Sequence, residues 1–207
     1  EIASCLVGSE MCIRDRWRNE DSNMTVAILA LQGAFIEHQK KIESLGHNCI
    51  ELRCKEDLNK PFDRLILPGG ESTTQGKLLR ELEMFTPIQH MIENGMPVLG
   101  TCAGLILLAE TIDGESPYLG TLSVTVKRNA YGRQLGSFYT EGVFGDWEDV
   151  PMTFIRAPYI ASASKDCTVL ATIEGNIVGV RYQNQIGISF HPELNEDSRI
   201  HELFLSL

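Results

Sequence analysis

Three short stretches hold side chains whose types and spacing suit the cleavage of an amide. In Gly100 to Gly104, "GTCAG", a cysteine stands between two glycines directly after the apolar run "PVLG". This is the G-x-nucleophile-x-G form of a sharp strand-to-helix elbow, with cysteine where a hydrolase can carry serine. Gly100 and Gly104 leave space for a tight turn on either side of Cys102. A helix starting at Ala103 would aim the positive end of its dipole at the sulfur and favour thiolate over thiol. In "IGISFHPE", Ile186, Ile188 and Phe190 alternate as a half-buried strand that delivers His191 at its end. Pro192 keeps His191 extended, and Glu193 can fold back to fix the orientation and tautomer of the imidazole. In "LILPGGES" two consecutive glycines end a strand, so their bare N–H groups can approach a ligand closely. The N–H groups of Gly70 and of Ala103, next after the nucleophile, are the candidate oxyanion donors.

Each stretch alone has a plainer reading: a structural cysteine, a solvated histidine, an ordinary turn. Together they supply nucleophile, base, orienter and oxyanion donors, which is the set that acyl transfer requires. A metal site built from Cys102, His191 and Glu193 would lack a fourth ligand and the usual spacing, and no CxxC pair is present, so neither metal nor cofactor is expected.

Strands must place these groups at one edge of a sheet. "TVAILAL" is a buried strand ended by Gly33, and "FIEHQKKIESLG" follows as a helix with Phe35, Ile36, Ile42 and Leu45 near one face. "HNCIELR" and "FDRLILPGG" read as two more strands. Ser72, Thr73 or Thr74 can cap a helix through "GKLLRELEMF", broken near Pro87 and resumed in "IQHMIENG" before the strand "PVLG". Strands alternating with helices imply an α/β fold, a three-layer sandwich around a mostly parallel central sheet. Beyond Gly114 the segments are rich in β-branched residues and turns, so the second half adds strands until a last helical pattern in "EDSRIHELFLSL".

The chain has 207 residues and a formal net charge of -10, which argues against a phosphate-backbone partner and for a small polar substrate or a protein. No apolar run approaches the roughly 18 to 20 residues of a membrane span. Six cysteines without paired spacing suit a reducing cytoplasm better than a disulfide framework. Residues 1–23 show neither a secretory pattern nor helical periodicity and stop just before Met24. They read as a non-native leader, expected to be disordered, ahead of a single domain over residues 24–207.

The combination "LQGAF" (Leu31 to Phe35), "LPGGEST" (Leu67 to Thr73), "GTCAGLILLA" (Gly100 to Ala109), "RNAYGRQ" (Arg128 to Gln134), "FIRAP" (Phe154 to Pro158) and "HPEL" (His191 to Leu194) resembles the class I (triad) glutamine amidotransferases. Within them "RNAYGRQ" and "FIRAP" resemble the glutaminases that serve pyridoxal 5'-phosphate synthase. The resemblance implies a flavodoxin-like domain that hydrolyses L-glutamine to glutamate and ammonia. The ammonia would pass to a synthase subunit that builds the vitamin B6 coenzyme from a pentose phosphate and a triose phosphate. It also implies Cys102 as nucleophile, His191 as base, Glu193 as its partner, and glutamine contacts at Gly70, Glu71, Ser72, Arg128, Ile155 and Arg156. A class I glutaminase serving another acceptor and a non-catalytic flavodoxin-like binding module are the competing readings.

Overall fold

The apolar segments of the first half become parallel strands because each is flanked by helices that cover both of its faces. A computed structural model describes residues 23–128 and 136–207. Residues 1–22, with Cys5 and Cys12, and the part of "RNAYGRQ" after Arg128 lie outside the described residues. The order is β1 (Thr25–Leu29), α1 (Phe35–Ser44), β2 (Asn48–Leu52), β3 (Arg64–Leu67), α2 (Ser72–Glu81), α3 (Phe85–Glu93), β4 (Val98–Thr101) and α4 (Ala103–Leu108). Then follow β5 (Ala109–Ile112), β6 (Leu122–Lys127), β7 (Ser137–Phe144), β8 (Trp147–Ile155), β9 (Tyr159–Ala163), β10 (Thr168–Ile173), β11 (Asn176–Tyr182), β12 (Gln185–Ile188) and α5 (Arg199–Leu205).

The main sheet runs β2-β1-β3-β4-β12-β11-β9-β6-β5, with β10 paired to β11, while β7 and β8 form a separate two-stranded ribbon. From β2 to β12 every pairing is parallel, and β11, β9 and β10 are the added antiparallel strands of the second half. Side chains alternate across β1, so Ala27 and Leu29 enter one core and Val26 and Ile28 the other. The first core is closed by α2, α3 and α4 through Leu79, Ile88 and Leu105. The second is closed by Ile42 of α1, Phe204 of α5 and Phe154 of the ribbon.

In register, Leu67 of β3 lies beside Gly100 of β4, and Thr101 of β4 beside Ile188 of β12. The three strands therefore end together, and the loops that leave them meet at one edge, where parallel sheets of this kind place their sites.

Local details depart from the sequence expectations. Glu71, not a hydroxyl residue, caps α2, its carboxylate accepting from the Thr74 N–H at 2.8 Å, while Ser72 is already helical. The chain breaks between α2 and α3 at Glu83, whose φ is +55°, and Pro87 sits inside the first turn of α3, where its missing N–H costs nothing. Ile36 is 48% exposed and His38 is fully buried, so the inward face of α1 is partly polar. Strand β12 is buried on both faces rather than half-buried, because it is central in the sheet. Helix α4 has only six residues.

Candidate active site

Cys102 occupies the break between β4 and α4 with φ +48° and ψ −99°, a left-handed conformation that a side-chain-bearing residue adopts only when its surroundings impose it. Two constraints do so. The Cys102 N–H donates to the Ile188 carbonyl at 2.8 Å, tying the elbow to β12. A methyl group at Gly104 would collide with the carbonyl oxygen of Leu67, and one at Gly100 would lie 2.7 Å from the Leu108 side chain. The two glycines thus let α4 lie close against β3 and β4, and the sulfur is held at the strand end, 3.9 Å from the Ile155 carbonyl oxygen.

His191 follows β12 through Ser189 and Phe190. Its N–H donates to the Thr153 carbonyl at 2.8 Å, and the Asn195 side chain donates to the His191 carbonyl at 3.3 Å. Glu193 folds back over the short 3₁₀ turn Pro192–Leu194 and accepts from His191 Nδ1 at 2.7 Å. The imidazole lies against Gly69, where a methyl group would run into Cε1 of the ring. Burial opposes charge on His191, but its side-chain hydrogen bonds to Cys102 and Glu193 outweigh that, and its pKa is raised to about 10. With Nδ1 committed to Glu193, Nε2 is left for the sulfur. Burial also works against the Glu193 carboxylate, yet its neighbours His38 and His191, the latter through a hydrogen bond, hold it below the usual carboxylate range. With only six residues in α4, the positive neighbour of the sulfur is the imidazolium rather than a long helix dipole.

These groups border a cleft of about 350 Å³. Cys102 and His191 line it together with Gly70, Glu71 and Ser72 of the β3–α2 turn. Arg128, Ile155 and Arg156 complete the lining. Glu193 and Ala103 stand behind the lining, 6% and 1% exposed. Every residue singled out in the sequence is therefore in or directly behind one cleft. Arg128 is held by Glu115 at 3.0 Å, by the Ser72 hydroxyl and by Glu71 at 3.7 Å. Arg156 has φ +44°, and its N–H is bonded to the Gly136 carbonyl.

Several neighbours escaped the sequence reading. Gln32 and Gly33 line the cleft, and the Gln32 side chain accepts from the Glu71 N–H at 2.7 Å. Gly33, at φ +105°, leaves no room for a side chain beside the Gly69 carbonyl, which accepts from Ala34 N–H at 3.0 Å. His38, Thr101 and His201 form a buried polar cluster behind Glu193. The one signal in the sequence was a histidine on the inward face of an otherwise ordinary amphipathic helix.

Among the described residues the cysteines 49, 54, 102 and 167 are free thiols. No helix among them is long and apolar enough to cross a membrane.

Residues 28–207 match the SNO glutamine amidotransferase family. The chain is 64% identical over 183 residues to "Pyridoxal 5'-phosphate synthase subunit PdxT" of Desulfitobacterium hafniense (strain DSM 10664 / DCB-2), covering 88% of this chain and 92% of that protein. It is 52% identical over 184 residues to the protein of the same name from Methanocorpusculum labreanum, covering 89% of this chain and 97% of the relative. Among solved structures, one described as a glutamine amidotransferase is similar with a TM-score of 0.83 and 43% identity, over 87% of this chain and 97% of the other.

Proposed function

The chain belongs to the SNO glutamine amidotransferase family, and we propose that it is the glutaminase subunit of a pyridoxal 5'-phosphate synthase, hydrolysing L-glutamine and supplying ammonia to the synthase subunit. The observation that carries this reading is that Cys102 and His191 line one cleft with Arg128 and Arg156, and that Glu193 is bonded to His191 behind it.

The chemistry follows from that arrangement. An amide is a poor electrophile, so a strong nucleophile and stabilisation of the tetrahedral oxyanion are both required. Cys102 attacks the side-chain carbonyl of glutamine while the N–H groups of Gly70 and Ala103 receive the developing negative charge. His191, protonated and steered by Glu193, gives its proton to the departing nitrogen. Water then cleaves the γ-glutamyl thioester, with His191 as base, and glutamate leaves. Gly70, Glu71, Ser72, Arg128, Ile155 and Arg156 form the substrate pocket, in which a guanidinium matches the planar carboxylate of the amino acid. The glutaminase domain on this reading spans residues 24–207, in keeping with the family match over 28–207. The free thiols among the described residues suit a cytoplasmic setting.

Ammonia released into neutral water would become ammonium and lose its nucleophilicity, which gives a physical reason for working inside a complex. The test is glutamate production with and without the synthase subunit. The expected result is slow release by the chain alone, a marked increase on adding synthase, and loss of roughly 10³-fold or more in Cys102→Ala. Fast hydrolysis independent of the partner, or activity that survives Cys102→Ala, would overturn the reading.

A further inference from the structure

Glu193 uses only one of its oxygens on His191. Oε1 takes the Nδ1 contact, while Oε2 is buried without a formed hydrogen bond and lies 3.4 Å from Nε2 of His38. Both side chains in that pair are 0% exposed, so bulk water does not solvate them. A buried carboxylate oxygen without a donor is costly, and the cost falls on the ionised form that His191 depends on.

The surroundings of His38 select which of its nitrogens carries the proton. Nδ1 lies 3.0 Å from Nε2 of His201, and Nε2 lies 3.2 Å from the Thr101 hydroxyl. Were Nδ1 protonated, it would donate to His201, and the lone pair of Nε2 would then face the Glu193 carboxylate and repel it. With the proton on Nε2, His38 donates towards Glu193 and Thr101, and Nδ1 accepts from a protonated His201 Nε2. Only the second arrangement gives every close contact a donor and an acceptor. Burial keeps both His38 and His201 below the ordinary histidine range, so the cluster is neutral apart from Glu193. Thr101 extends the chain further, because its hydroxyl accepts from the Gly69 N–H at 3.0 Å, in the loop that also carries Gly70.

Helix α1 also grips the segment that carries His191 and Glu193. Lys41, one turn beyond His38 on α1, donates to the carbonyls of Asn195 at 2.6 Å and Glu196 at 3.0 Å. Helix α1 thus holds the segment from His191 to Glu196 at two points, a carboxylate and a pair of carbonyls.

We infer that His38 is a positioning residue for the glutaminase reaction: its Nε2–H fixes the second oxygen of Glu193, and His201 fixes His38 in the tautomer that can do so. This rests on the assignment of Cys102, His191 and Glu193 made above. The titratable and charged groups facing the cluster are Glu37 and Lys41 from α1, His201 from α5, His191, and Cys102 through His191.

The experiment measures glutamate release in the complex with synthase for wild type, His38→Leu, His38→Gln and His201→Leu. Glutamine at position 38 places an amide donor near the ε position, whereas leucine offers none. Expected is a fall in kcat of roughly tenfold to a hundredfold for His38→Leu, with KM within about twofold, and a smaller fall, within about fivefold, for His38→Gln. The acid limb of the kcat profile moves to higher pH in His38→Leu, because the Glu193 carboxylate has lost its donor, and stays near the wild-type position in His38→Gln. His201→Leu, which leaves His38 in place, gives a kcat loss of roughly threefold to tenfold with the same direction of pH shift, and carries the test if His38→Leu does not fold. Equal kcat in the leucine and glutamine variants, a loss carried by KM, or an unmoved acid limb in both His38→Leu and His201→Leu would overturn the inference. Wild-type complex without glutaminase activity would instead remove the underlying assignment and this inference with it.

Discussion

Glu193 and His38 form a dry side of the candidate site, and Arg128 with Glu71 forms a wet one. Glu193 and His38 have fully buried side chains, whereas Arg128 and Glu71 are 21% and 54% exposed. On the dry side Nδ1 of His191 is held by Glu193 and His38 by His201 and Thr101, and the positions are set by strand ends, glycine contacts and helix α1. On the wet side Arg128 is shared among Glu115, Glu71 and Ser72, partners that a ligand carboxylate can replace at little net cost. The lesson is one of division of labour. Groups that transfer protons need a preorganised, low-dielectric setting, and groups that admit and release a charged substrate need partners they can exchange.

Mutations should separate the two sides by which kinetic constant they change. The largest effect is expected for Glu193→Gln, which keeps the shape but removes the charge that steers His191: kcat in the synthase complex should drop by roughly 10²- to 10⁴-fold with little change in KM. A comparable loss in KM alone would erase the distinction between the walls. Arg128→Met should do the reverse, raising KM for glutamine by roughly tenfold to a hundredfold while kcat stays within a few-fold, measured in the same assay.

The smallest effect is on stability. His38 and His201 have pKa values lowered by burial, so below their ordinary value near 6.5 the unfolded chain binds protons that the folded chain refuses, and stability falls as pH drops through that region. Glu193, lowered from 4.5, adds its loss only at more acidic pH. His191 has the opposite sign. Its contribution is complete below 6.5 and is lost as pH rises towards about 10. Calorimetry from pH 7 to pH 5 should show a melting temperature lower by a few degrees, and His201→Leu should blunt that fall. An unchanged melting temperature in wild type over this interval would contradict the neutral, buried state of the cluster.

Much of the site was legible because its chemistry is written locally. The elbow needs glycines two positions either side of Cys102, and Glu193 reaches His191 across a single proline turn. The α/β alternation of the first half was readable for the same reason, since each strand and helix carries its own periodicity. The helix caps were harder: Glu71 displaced three better-placed hydroxyl residues because the turn after β3 presents its carboxylate to Thr74. Ile36 was expected inside α1 and lies outside, because the inward face is taken by His38.

By itself the sequence determined which side chains could cleave an amide and which strands and helices would carry them, because those features depend on neighbours a few positions apart. Only the tertiary structure decided what stands behind them. His38 meets His201 across 163 positions and Thr101 across 63, and no local pattern encodes such a contact. The packing of α1 and α5 against the ends of β4 and β12 brings these residues together, and burial then makes their few mutual contacts count, since little water reaches them.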